Sequence, residues 1–93
     1  MSTHREQSLI ASALRWRADL DGCNAVRPPR RRDQRAAYEQ HRRETLAALA
    51  VQAGALFEAF DALSVGERAR AADAAGWSLW LAHQLHNDLR KSA

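Results

Sequence analysis

The chain has 93 residues, 46% of them hydrophobic and 27% charged, with a formal net charge of +3 and one cysteine. That length supports one small domain and leaves no room for a second. A lone Cys23 excludes an intramolecular disulfide and a thiolate metal centre, which makes a reducing cytoplasm the expected compartment. The start, Met1 to Gln7, is polar, and no run approaches the roughly 18 apolar residues of a membrane span, so neither secretion nor membrane insertion is expected.

The hydrophobic fraction is weighted toward small side chains. Twenty residues are alanine, against 11 Leu, three Val, one Ile, three Trp, two Phe and one Tyr. Few β-branched residues and an abundance of Ala, Leu, Arg, Gln and Glu point to an all-α fold.

Thr3-His4-Arg5-Glu6 has the form of a capping box, so a first helix is expected over about 4–21. Its apolar arc is Leu9, Ile10, Ala13, Leu14 and Leu20, with Trp16 at the edge and Gly22 as the stop. Residues 22–32 carry no period, and Pro28-Pro29 favours an extended path. This is the expected linker.

A second helix is expected over about 33–63, with Asp33 as its cap. A heptad seam runs through Leu46, Leu49, Ala53, Leu56, Phe60 and Leu63, with Arg42 one step earlier and Ala50 and Phe57 widening the stripe. Ser64-Val65-Gly66-Glu67 is a second capping box, which predicts a tight reversal into a third helix over about 65–91. Its seam is Ala71, Ala75, Ser78, Ala82, Leu85 and Leu89, running through Gly76 without a phase break, as one unbroken helix would. Set antiparallel, the two seams oppose large residues with small ones and let the helices approach closely. The expected fold is a three-helix arrangement built on this long antiparallel hairpin with its Ala-rich seam, the short N-terminal helix packed on it. So modest a core also suggests a homodimer.

Charge is concentrated in one place. Residues 27–43 hold Arg27, Arg30, Arg31, Arg32, Arg35, Arg42 and Arg43 against Asp33 and Glu39, a segment that carries the whole positive excess. Such a run suits the carboxylates of an acidic protein or the phosphates of a nucleic acid. The alternative is a solvated face in which Glu39 pairs with Arg43. Interleaved aromatics for base stacking are missing, since Tyr38 is expected in the core.

On the third helix, Trp80 falls opposite the buried arc among His83, Gln84 and Gly76, with Trp77 at the border. Either these tryptophans anchor a partner or self-association surface, or the first helix covers Trp80 with Trp16, Leu9 and Leu20. Residues 68–87 also resemble a degenerate helix-turn-helix at Ala72, Gly76 and Ala82, with Ser78 able to cap. Its recognition face would show Ser78, Leu79, Trp80, His83 and Gln84, with no basic residue before Arg90.

Catalytic chemistry has little support. His83 and His86 could share a metal with His41, Cys23 or Asp88, but no accompanying motif strengthens the pair, and no metal or cofactor is expected. Cys23 sits past a helix C-terminus, the wrong end of the dipole for a reactive thiol. There is no glycine-rich phosphate loop. The expectation is a non-catalytic protein-binding module, an inhibitor, adaptor or regulator of the kind found on mobile elements, anti-CRISPR proteins among them. Its candidate contacts are the seven arginines with Trp77, Trp80, His83 and Gln84, and its expected partner is a protein with an acidic surface. A nucleic-acid-binding accessory protein using 27–43, and the motif at 68–87, is the alternative.

Overall fold

The computed structural model describes residues 2–92, and the side chains of all of these except Leu89 and Ser92. The fold is all-α: three helices, α1 (His4–Ala25), α2 (Arg32–Asp61) and α3 (Val65–Ser92), pack against one another. The molecule is elongated, with principal extents of 53 × 25 × 16 Å.

The Thr3 capping box forms: its hydroxyl accepts from the Glu6 amide at 3.3 Å, while the Glu6 carboxylate accepts from the Thr3 amide at 2.7 Å. At its other end α1 runs past the expected stop. Gly22 does not take the left-handed conformation of a helix terminator, and the helix continues to Ala25. It ends where Val26 turns extended (φ −71°, ψ 123°) on the approach to Pro28 and Pro29, leaving a linker of 26–31. In α2 the cap position belongs to Arg31, whose side chain makes no capping bond. Asp33 instead stands in the first turn, where its charge complements the helix dipole.

The reversal between α2 and α3 follows the sequence closely. The Ser64 hydroxyl accepts from the Glu67 amide at 3.3 Å, and the Glu67 carboxylate accepts from the Ser64 amide at 2.9 Å. The Ala62 amide still donates to the Glu58 carbonyl at 3.1 Å and the Leu63 amide to the Phe60 carbonyl at 3.1 Å, so α2 ends in a tightened last turn.

The core contains Leu49, Ala53, Leu56 and Leu63 from α2 and Ala71, Ala75, Leu79 and Ala82 from α3, with Leu46, Phe57, Phe60 and Leu85 half-buried against it. From α1 come Leu9, Ala13, Trp16 and Leu20. Two expectations for α1 change. Leu14 is 49% exposed, whereas Trp16, expected at the margin, is 3% exposed. Burial of the indole is possible because its Nε1–H donates to the Leu49 carbonyl at 2.8 Å, so no polar group is stranded.

α1 lies antiparallel to α2 along nearly its whole length. The Trp16 bond to Leu49 marks the middle, and a bond from the Tyr38 hydroxyl to the Val26 carbonyl at 3.0 Å marks one end.

α3 is not one unbroken helix. Ala75 has φ −140° and ψ 24°, outside the helical region, immediately before Gly76. Beyond it the expected seam stays buried at Ser78 and Ala82, with Leu85 half-buried, and Leu79 joins it in the core. Leu89, the last expected seam residue, lies outside the described side chains. The break also redirects the chain. The Phe57 ring meets His83 edge to face with centroids 5.2 Å apart, and His86 at 6.4 Å. Counted from the reversal, a straight hairpin would separate Phe57 and His83 by roughly 20 Å along the axis. The second half of α3 therefore turns across α2. At this crossing a Cβ on Gly54 would come within 3.2 Å of the His86 ring.

Candidate interaction surface

The sequence-predicted residues fall into two groups on different elements. The first surrounds the linker and the start of α2. Arg27, Arg30, Arg31, Arg32, Arg35 and Arg43 are all exposed, and none takes part in an ion pair among the described residues. The Glu39–Arg43 pair of the solvated-face reading does not form. Arg42 stands apart from the other six. Its guanidinium donates to the Cys23 carbonyl at 3.2 Å and to the Asn24 side-chain oxygen at 2.9 Å, and lies 3.7 Å from the Cys23 sulfur. It thus caps the carbonyl end of α1, where the helix dipole favours a cation.

With the Tyr38–Val26 bond, Arg42 ties both helices to the root of the linker. The extended backbone at Val26 and at Arg31 (φ −77°, ψ 133°) then carries the arginines outward. A hollow of about 270 Å³ opens beside this clamp between Asp19, Cys23, Tyr38 and His41.

The second group lies on α3 past the break. Trp77 and Trp80 are 57% and 50% exposed, and their rings stack with centroids 5.0 Å apart and planes 13° from parallel. α1 does not cover them, because Trp16, Leu9 and Leu20 are occupied in the core. Spacing of i,i+3 puts the two indoles on adjacent turns of one face, where they shield each other's inner surfaces and leave the outer ones to solvent. Gln84 is exposed on the same half of the helix. His83 is exposed too, but it leans on Phe57 and lies 3.0 Å from the Asn87 amide.

Among the described residues no three His, Cys, Asp or Glu side chains gather in a way that could hold a metal ion. His86 packs against Gly54 and Phe57 with its Nδ1 buried and unpartnered. No helix formed by the described residues is long and apolar enough to cross a membrane.

One cluster was not visible in the sequence. The two capping boxes lie side by side and share their charges. Glu6 is fully buried and receives the Arg70 Nε–H at 3.0 and 2.9 Å on its two oxygens. Glu67, 4% exposed, receives Arg5 at 2.8 Å and the Thr3 hydroxyl. The Arg70 hydrogen bond holds the Glu6 carboxyl below its ordinary range and raises the Arg70 guanidinium in turn. Bonds from the Thr3 hydroxyl and the Ser64 amide bring Glu67 down to about 2. Each box is legible as a helix start. That the first glutamate would meet Arg70 and the second Arg5 depends on α1 and α3 starting side by side, which no local pattern encodes.

Both groups thus present side chains that the fold itself does not use, six guanidiniums at one place and a pair of indoles at the other. Comparisons of the chain with protein-family models, with curated protein sequences and with solved structures return no match.

Proposed function

We propose that this chain is a small non-catalytic helical binding module, an inhibitor, adaptor or regulator that meets a partner protein through the Trp77/Trp80 face of α3. The stacked, half-exposed indole pair carries this reading. Two large aromatic rings held in one rigid arrangement lose little entropy on binding and bury a large area, the properties of interface anchors. His83 and Gln84 border them with hydrogen-bonding groups, as a polar rim does. Arg27, Arg30, Arg31, Arg32, Arg35 and Arg43 stand on other elements than the indole pair, and this reading does not need them in the interface. Arg42 is better regarded as a structural residue than as a contact. The comparison with mobile-element inhibitors, anti-CRISPR proteins included, is one of size and style, with no motif behind it.

The experiment is cross-linked capture from the source cell, comparing the native chain with Trp80→Ala and with Trp77→Ala/Trp80→Ala. Loss of a specific captured protein with helix content unchanged supports the reading. Equal capture by all three chains refutes it.

One observation favours a second reading. The break at Ala75 falls where a helix-turn-helix within 68–87 would turn. The segment beyond it, however, shows solvent two tryptophans and buries Leu79, and it offers no basic residue before Arg90. A major-groove reader needs guanidinium, amide or ammonium groups on that face. If the protein binds nucleic acid, the contact is better sought at the arginine end.

A further inference from the structure

We propose that the arginine end is a docking surface for the phosphodiester backbone of double-stranded nucleic acid, separate from the protein-binding face on α3. Five of the free guanidiniums lie within nine residues, 27–35, with Asp33 as the only carboxylate among them. None of the five is neutralised by an ion pair among the described residues, so their charge is available to a ligand. Arg42 and Tyr38 hold the root of this segment at Cys23, Asn24 and Val26, Pro28-Pro29 limits the conformations of the linker, and Arg32 and Arg35 stand in the first turns of α2. A polyanion docking there meets guanidiniums on an ordered frame, and part of the ordering cost has been met in folding.

The surroundings of these side chains select among polyanions. An acidic protein would offer carboxylates together with apolar surface, and stable protein interfaces have an apolar, often aromatic centre. Beside these arginines the large exposed apolar side chain is Val26, and the aromatic pair stands on another helix. Single-stranded nucleic acid would call for exposed rings on which bases stack. Tyr38 is half-buried with its hydroxyl engaged by Val26. A duplex backbone asks only for positive charge and donors along a surface, and that is what residues 27–35 provide.

Fluorescence anisotropy with a labelled 20-base-pair DNA duplex between 50 and 200 mM salt tests the proposal. If the five arginines each replace a counterion, affinity should fall about 500-fold across that range, and about tenfold for Arg30→Ala/Arg31→Ala/Arg32→Ala. The matching triple Lys variant should retain the native slope, because phosphate neutralisation needs charge rather than a guanidinium fork. Trp77→Ala/Trp80→Ala should bind the duplex as the native chain does, so failure of the protein-binding reading and failure of this one are distinguishable. Circular dichroism verifies that each variant is folded. No binding at 50 mM salt, an unchanged slope in the triple Ala variant, or equal affinity for poly-glutamate of matched charge overturns the proposal, the last in favour of an acidic protein.

Discussion

Arginine is used in opposite ways at two places in this molecule. Where α1 and α3 begin, Arg70 and Arg5 are matched to Glu6 and Glu67, whose carboxylates are withdrawn from solvent and bonded on several sides. Around the linker, six arginines face water without a carboxylate partner among the described residues. A buried carboxylate makes its guanidinium partner a requirement of the fold, because removing either leaves an uncompensated charge. An exposed guanidinium without a partner has no such duty and is open to selection for binding. The contrast lies in the setting, since the residue type is the same.

This contrast can be tested from its strongest side downward. Glu67→Ala removes the acceptor of the Thr3 hydroxyl, the Arg5 guanidinium and the Ser64 amide together. Its melting temperature, followed by circular dichroism, should fall on the order of ten degrees. A fall no larger than that of an exposed control such as Glu58→Ala would show that the charge lattice is not structural.

Acid should reach the same cluster without mutation. Both glutamates have folded-state values below the ordinary 4.5, so their contribution is complete above that pH. It declines as pH falls toward about 2, the folded value for Glu67. Urea midpoints measured from pH 6 to 2 should therefore drop below about pH 4.5, and drop less in the Glu67→Ala chain.

Arg42→Ala should cost about 1 kcal/mol by chemical denaturation, through the lost bonds to the end of α1. Arg30→Ala/Arg31→Ala/Arg32→Ala should change stability by less than about 0.5 kcal/mol in the same measurement. If the triple variant costs as much as Arg42→Ala, the division of the segment into one structural and six free arginines is wrong.

A change of opposite sign is expected at one of two glycines. A Cβ at Gly76 meets nothing within 4 Å, so Gly76→Ala should raise stability by about 0.5–1 kcal/mol. Gly54→Ala should lose that gain against the His86 ring.

Much of the fold was legible locally. Both capping boxes, the linker around the two prolines and the alanine seam of the α2–α3 hairpin depend on spacing and composition over a few turns, and those patterns do not need distant partners. Where the structure departs from the local pattern, the cause is a distant partner. Gly22 permits a helix stop without requiring one, so only the competition between continuing α1 and entering the linker decided its end. The helical wheel puts Trp16 at the margin of α1 because it cannot show the Leu49 carbonyl that makes burial of the indole N–H tolerable. The break at Ala75 has no local signature, since alanine carries no signal for it and the next residue, Gly76, reads equally well inside a continuous helix.

For the interaction surface, the sequence located every candidate side chain but could not sort them. It could not separate Arg42 from its six neighbours, since that distinction is a matter of α1's terminal carbonyls being within reach. Nor could it decide whether α1 would cover Trp80. Helix type, the reversal at Ser64 and the clustering of positive charge were determined by the sequence alone, because propensity, capping and net charge act over short range. Tertiary structure decided the bend of α3 across α2, the exposure of the tryptophan pair and the sharing of charges between two helix starts. Each of these depends on which surfaces meet, and packing sets that over the whole chain.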